Sequence, residues 1–145
     1  MELTASDGYE GVTVAGLAVV RLDGGVSVLL AKRAYDESDD PAVRETWEFP
    51  GGHLQAGEEP FAGAAREFAE EIGAELFPGE VLNGWRSEEG HYQGFVYEAT
   101  EAPAVDSLPL SSEVQAVGWF TREDVEQLGD ALRPEVRNMD WSIIW

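Results

Sequence analysis

Glu67, Glu70 and Glu71 stand at positions i, i+3 and i+4 of a segment with helical character, so at about 100° per residue their carboxylates share a narrow arc of one face. Phe61, Ala65, Phe68 and Ile72 share a different arc, which leaves the acidic stripe free while the apolar one packs. Three like charges this close repel, each helical pair by roughly 0.2 to 0.5 kcal/mol, and no Lys or Arg follows three or four residues on to neutralise them. A divalent cation is the simplest remedy. Carboxylate oxygens are the hard ligands of Mg²⁺ or Mn²⁺, ions that also carry waters and substrate phosphates. The spacing therefore points to chemistry on a phosphate, against the plain alternative of a solvated acidic helix face.

The elements that must position these carboxylates are legible around them. Pro60 suits a first helical turn, Glu58 and Glu59 favour the positive end of the helix dipole, and Gly73 is a natural left-handed C′ residue, which predicts a helix over residues 59–72. Upstream, Trp47, Glu48 and Phe49 read as a short strand that Pro50 ends. Gly51 and Gly52 then let backbone carbonyls approach a metal or phosphate closely, or simply form a tight turn.

Gly52, Glu58, Arg66, Glu67, Glu70, Glu71 and Gly73 fit, without a gap, the pattern G-x5-E-x7-R-E-U-x-E-E-x-G-U, where U is a bulky apolar residue. Phe68 fills the first U position; Ala74 is small for the last. The segment from Gly52 to Ala74 thus resembles the signature of the Nudix hydrolase family. That resemblance implies an α/β fold, a Nudix-like α/β/α sandwich with a mixed sheet. It also implies that Glu67, Glu70 and Glu71 hold divalent cations with a backbone carbonyl from Gly52, and that Glu70 and Glu71 take part in catalysis. Arg66 is expected to bridge a carboxylate and fix its orientation. The family often adds a carboxylate from a loop after the helix. Residues 111–120, in which an acid precedes a strand ending in tryptophan, resemble that stretch and make Glu113 the candidate ligand or water-activating base, with Glu88, Glu89 and Glu98 as rivals.

Composition narrows the partners. The chain has 145 residues, the size of one domain spanning 1–145, and carries 29 acidic against 9 basic residues for a net charge of −20. Such a charge repels nucleic-acid backbones and anionic membranes, so a polymeric nucleic acid is disfavoured. A small anionic substrate that brings magnesium remains admissible, because the metal inverts the local charge logic. Cysteine is absent, which fits a reducing compartment. Met1 to Gly8 lacks the basic and apolar regions of a secretory leader, and no run approaches the 18 or so apolar residues that span a bilayer, so the expectation is a cytoplasmic protein without a membrane segment. A homodimer is compatible with the sequence, which does not fix the oligomeric state.

Along the chain, Val12 to Leu22 and Val26 to Lys32 read as strands joined across Asp23-Gly24-Gly25. Residues 35–45 form a charged loop, and further strands are expected near Val81 to Ser87, His91 to Ala99 and Val114 to Phe120. Thr121 with Asp124 marks the start of a short helix over Glu123 to Leu128, and Pro134 opens a last helical stretch to Trp145. His53 reads as a surface residue, and His91 with Tyr92 lies where a base or ribose could pass. Trp47, Trp85, Tyr92 and Trp119 read as core before base-stacking residues, and Arg33 and Arg44 as exposed charge or as anchors for terminal phosphates.

These readings converge on Mg²⁺- or Mn²⁺-dependent hydrolysis of the pyrophosphate bond in a nucleoside diphosphate linked to another moiety: a nucleotide, ADP-ribose or a sugar nucleotide. Two other classes stay open: a catalytically silent Nudix-like domain that binds a nucleotide or protein partner, and an acidic interaction protein without a ligand.

Overall fold

A computed structural model describes residues 11–22 and 24–145. The leader reading at Met1 to Gly8 and the turn residue Asp23 lie outside the described residues. All seven strands among the described residues join one sheet: β1 (Val14–Arg21), β2 (Ser27–Arg33), β3 (Trp47–Glu48), β4 (Gly51–His53), β5 (Gly79–Arg86), β6 (Tyr92–Ala99) and β7 (Val114–Thr121). The sheet is mixed. β1 runs parallel to β6 from Val14↔Tyr92 to Val20↔Glu98, and antiparallel to β2 and β4.

β1 is buried on both sides, which is why Ala15 to Val20 read as an unbroken apolar run rather than an alternation. Its odd positions, Ala15, Leu17 and Val19, face α1 (Pro60–Ile72), which contributes Ala64, Phe68 and Ile72 to that core. Its even positions, Ala18 and Val20, face α2 (Arg122–Leu128), α3 (Pro134–Arg137) and the C-terminal residues, through Val125, Leu132 and Val136. Helices thus cover both faces of a mixed sheet, and the α/β/α layering expected from the signature stands.

Three local readings are corrected. The packing stripe of α1 passes through Ala64, fully buried, and not Ala65, which is only half-buried. Gly51 and Gly52 are not a free turn. They form β4 and pair with Gly16 and Ala15 of β1, an assignment hidden by the low strand propensity of glycine. The sheet edge at β5 is blunted by a bulge at Leu82 and by Glu80 facing Glu98, so its exposed Val81 and Leu82 do not make a flat edge. Pro134 opens only the one turn of α3, and a separate 3-10 turn covers Trp141–Ile143. Asp140 caps that second turn. Its carboxylate accepts from the Ser142 amide at 3.0 Å and starts the new turn locally. Among the described residues no helix is long and apolar enough to cross a membrane.

Candidate active site

The helix that carries the carboxylates is fixed at both ends. Glu59 is its N-cap, accepting from the Phe61 and Ala62 amides at 3.2 and 3.0 Å, and Pro60 occupies the first turn, where its missing N–H costs nothing. Gly73 closes it at φ +78°, and a Cβ there would collide with the carbonyl of Pro109 as well as strain the backbone. β4 then brings its glycines against the acidic stripe. A Cβ on Gly52 would lie 2.6 Å from the Glu67 carboxylate, so only glycine leaves room for that side chain. Gly52→Ala is expected to displace Glu67 and weaken Mn²⁺ binding by about 10 to 100-fold, with little change in helix content; calorimetric titration with an unchanged affinity would remove Gly52 from the site.

Arg66 corrects the expectation of unneutralised charges. Its Nε and Nη2 donate to Glu58 at 2.8 and 3.0 Å, its Nη1 to Glu67 at 3.0 Å and Glu70 at 3.1 Å, and its Nη2 also to the His53 carbonyl. The cation sits one residue before Glu67 and four before Glu70, on the N-terminal side of the acidic stripe. Beside Arg66 and the Gln55 amide, the Glu58 carboxyl is held well below the usual range. One arginine therefore ties the two Glu-bearing ends of the signature together.

Glu71 is the exception, with no ion pair among the described residues. Its Oε1 accepts from the Gly51 amide at 2.8 Å. Burial pushes its carboxyl up to about 8, the Gly51 bond opposes this, and the charges of Glu48, Glu67 and Glu113 add to the rise. Glu113 reaches this neighbourhood by backbone ties: the Ser111 amide donates to the Glu71 carbonyl and the Ala34 amide to the Glu113 carbonyl, both at 2.9 Å. Of the rivals, Glu98 pairs with Val20 at the far end of β1, and Glu88 and Glu89 are exposed in the β5–β6 hairpin.

The site holds two residues that sequence reasoning missed. Glu48 stands three positions before Gly51, and Arg133 donates to it at 2.7 Å while Arg33 lies 3.5 Å away. No local signal pairs residues 48 and 133; a parallel bridge between Trp47 and Leu132 and a bond from the Arg133 amide to the Trp47 carbonyl bring them together. Arg33 also grips Asp39, and Arg44 donates to the carbonyls of Glu37 and Asp39. His53 is exposed, and His91 is tied through Nδ1 to the Gly11 carbonyl. Tyr92, Trp85 and Trp47 pack on other rings, whereas Trp119 lies under the Arg21 guanidinium at 4.4 Å.

The donor set suits a hard divalent cation: oxygen ligands only, three carboxylates on one face, and one of them half-buried without a counter-charge. No three described His, Asp or Glu groups already converge as a cage, because Arg66 draws Glu67 and Glu70 one way while the Gly51 amide holds Glu71.

The family model described as NUDIX domain matches residues 11–140. A MutT-like protein of Streptomyces ambofaciens is 35% identical over 116 residues, which cover 80% of this chain and 67% of that protein. Among solved structures, a Nudix hydrolase from M. smegmatis, RenU, superposes with a TM-score of 0.65 at 23% identity, over 86% of this chain and 78% of that one. The C. elegans Ap4A hydrolase in a binary complex gives a TM-score of 0.62 at 24% identity, over 81% and 86% respectively. At these identities the two structures speak for the fold.

Proposed function

The chain belongs to the NUDIX domain family, and from that membership we propose that it is a divalent-metal-dependent pyrophosphohydrolase of nucleoside diphosphates linked to a further moiety. The observation that carries the reading is Glu71, a half-buried carboxylate with no ion-pair partner among the described residues, beside Glu67 and Glu70 on the same helical face. An arrangement this unfavourable in the free protein is what a cation site requires. A silent binding domain has no use for it.

Glu67, Glu70 and Glu71, with the Gly52 carbonyl, would hold Mg²⁺ or Mn²⁺. When bound, the cation neutralises the diphosphate and lowers the pKa of its water. Arg66 keeps Glu67 and Glu70 oriented from one side, and Gly52 keeps space for Glu67. In the reaction a water oxygen bonds to one phosphorus and the bond from that phosphorus to the bridging oxygen breaks. The electron pair stays on the departing phosphate, and the water proton passes to a carboxylate, for which Glu113 is our assignment. The relative termed MutT-like and the neighbour that hydrolyses Ap4A fit a small nucleotide substrate.

Incubation with a nucleotide panel and Mg²⁺, with both products identified, tests the reaction. A melting curve in Mg²⁺ or Mn²⁺ tests the site. At a hundredfold excess over Kd the cation is expected to add about 2.7 kcal/mol of stability. A curve unmoved by millimolar Mn²⁺ would count against the metal centre.

A further inference from the structure

On the face of the sheet opposite α1, residues of α2, α3 and the C-terminal segment line a cavity of about 430 Å³, within the size range of small-molecule sites. It lies apart from the acidic centre. Arg122 on its rim follows Thr121, which pairs with Ser27, and the Trp145 indole N–H donates to the Val26 carbonyl at 3.2 Å. Val114 and Arg33, beside the acidic centre, stand at the other end of the same strand pair, roughly 20 Å away along β2 at the rise of a strand. Two indoles form one wall. Trp141 and Trp145 stack with centroids 5.2 Å apart and 28° between their planes. The Trp141 N–H donates to the Val136 carbonyl at 3.0 Å, and Phe49 packs on the same ring at 5.7 Å. Both indole N–H groups are thus satisfied by backbone, so the two rings are held in orientation and offer the cavity flat apolar surface. Val125 and Leu132 extend that surface.

The rim is basic. Arg122 and Arg137 are two of only nine basic residues in a −20 chain, and they line the same cavity. Neither is held firmly. Arg122 meets Glu126, also at the rim, at 3.4 Å with 70% and 65% of the two side chains exposed, and Arg137 meets the fully exposed Asp130 at 3.1 Å. Ion pairs of this kind contribute little, so turning either guanidinium towards a stronger acceptor costs little. Arg66 is the contrast, engaged by three carboxylates at once. A guanidinium fork matches the oxygens of a phosphate, and a flat ring stacks on an indole. Cavity and rim therefore ask for one small molecule with a planar ring at one end and a phosphate at the other. We propose that this cavity binds a nucleoside monophosphate, its base against Trp141 and Trp145 and its phosphate taken by Arg122 and Arg137. The positive charge comes from the chain itself, so the site works without a divalent cation. It goes beyond the pyrophosphohydrolase reading and does not depend on it.

The experiment titrates the protein, its tryptophans labelled with ¹⁵N, with AMP in the presence of EDTA and follows the five indole N–H resonances, assigned by single Trp→Phe substitutions. The resonances of Trp141 and Trp145 are expected to move together and to saturate with a Kd below about 1 mM, while those of Trp47 and Trp119 stay in place. Adenosine, which lacks the phosphate, and ribose 5-phosphate, which lacks the base, each bind about tenfold more weakly or worse. Arg122→Gln and Arg137→Gln, both checked for an unchanged melting curve, each weaken AMP by about tenfold, the scale of a lost charge-assisted contact. Four results overturn the proposal: no saturable movement at Trp141 and Trp145, adenosine binding as tightly as AMP, AMP binding unchanged in both arginine variants, or movement confined to Trp47 or Trp119. The comparison of ligands uses the wild type alone and decides the matter if either variant fails to fold. Neither metal nor turnover enters the measurement, so a failure here leaves the pyrophosphohydrolase reading standing, and a failure of that reading leaves this one to be judged by the titration.

Discussion

Glu71→Gln is expected to lower kcat/KM by at least about 100-fold and, in the same protein, to raise the stability of the metal-free form at alkaline pH. The first effect follows from the assignment of Glu71 as a cation ligand, since losing even a supporting partner of a ligand commonly costs about 10 to 100-fold. The second follows from its surroundings. Its carboxyl rises to about 8 in the folded protein against an ordinary glutamate value near 4.5. Between those values the folded state holds a proton that the unfolded state has released, so the stability of the metal-free protein falls as pH rises through that window, by up to about 1.4 kcal/mol per pH unit, and levels off above it. Glutamine carries no charge to desolvate and still offers an oxygen to the Gly51 amide. Chemical denaturation at pH 5 and pH 8.5 reads the difference: the wild type loses stability between the two and Glu71→Gln does not. A wild type equally stable at both would show that Glu71 is better solvated than its burial implies.

A cation must displace that same proton. Divalent-ion affinity is therefore expected to increase with pH up to about 8 and to release close to one proton below it, measurable as a buffer-dependent binding enthalpy. Glu70 offers a contrast. It is 58% exposed and already paired with Arg66, so Glu70→Gln should impair turnover without the gain in stability. Two neighbouring glutamates of one helix thus separate by environment: the half-buried one carries a stability cost that a bound cation would offset, and the exposed one does not.

What the sequence made legible follows the range of the interactions. The helix, its Pro60 entry, its Gly73 exit and the shared face of Glu67, Glu70 and Glu71 all depend on residues within one or two turns, and each was readable from spacing. The capping box at Thr121 and Asp124 was readable for the same reason. β4 was not, because its pairing with Ala15 and Gly16 spans more than thirty residues and two glycines give no strand signal. The Arg133–Glu48 pair crosses 85 residues and depends on how the C-terminal segment docks beside β3. Arg66 was recognised as a bridge, yet its simultaneous hold on Glu58, Glu67 and Glu70 needed the side-chain geometry, since the fork must reach back across two helical turns. Glu71 shows the same division. Its place on the helix was local information, and its burial against the Gly51 amide was not.

Glu113→Gln is expected to lower kcat by about 10² to 10⁴ while leaving KM nearly unchanged, the pattern of a lost proton acceptor that binds no part of the ground-state substrate. The expectation rests on position. Glu113 is exposed and free of ion pairs among the described residues, its backbone is tied to β2 through Ala34, the neighbouring Ser111 is tied to the carbonyl of Glu71, and its charge is among those felt by the Glu71 carboxyl. An exposed carboxylate beside the acidic cluster can take a proton from water and return it to solvent, whereas Glu67 and Glu70 are engaged by Arg66. Glu98 lies four residues along β6 from the Gly16–Gly94 pair, roughly 13 Å away at the rise of a strand, and Glu88 and Glu89 occupy the turn beyond β5. Glu88→Gln, Glu89→Gln and Glu98→Gln should each stay within about twofold of the wild type on this account. Loss of turnover in one of those three, with Glu113→Gln still active, would move the water-activating carboxylate to that residue and leave the cation site on the helix to be judged by Glu71→Gln alone.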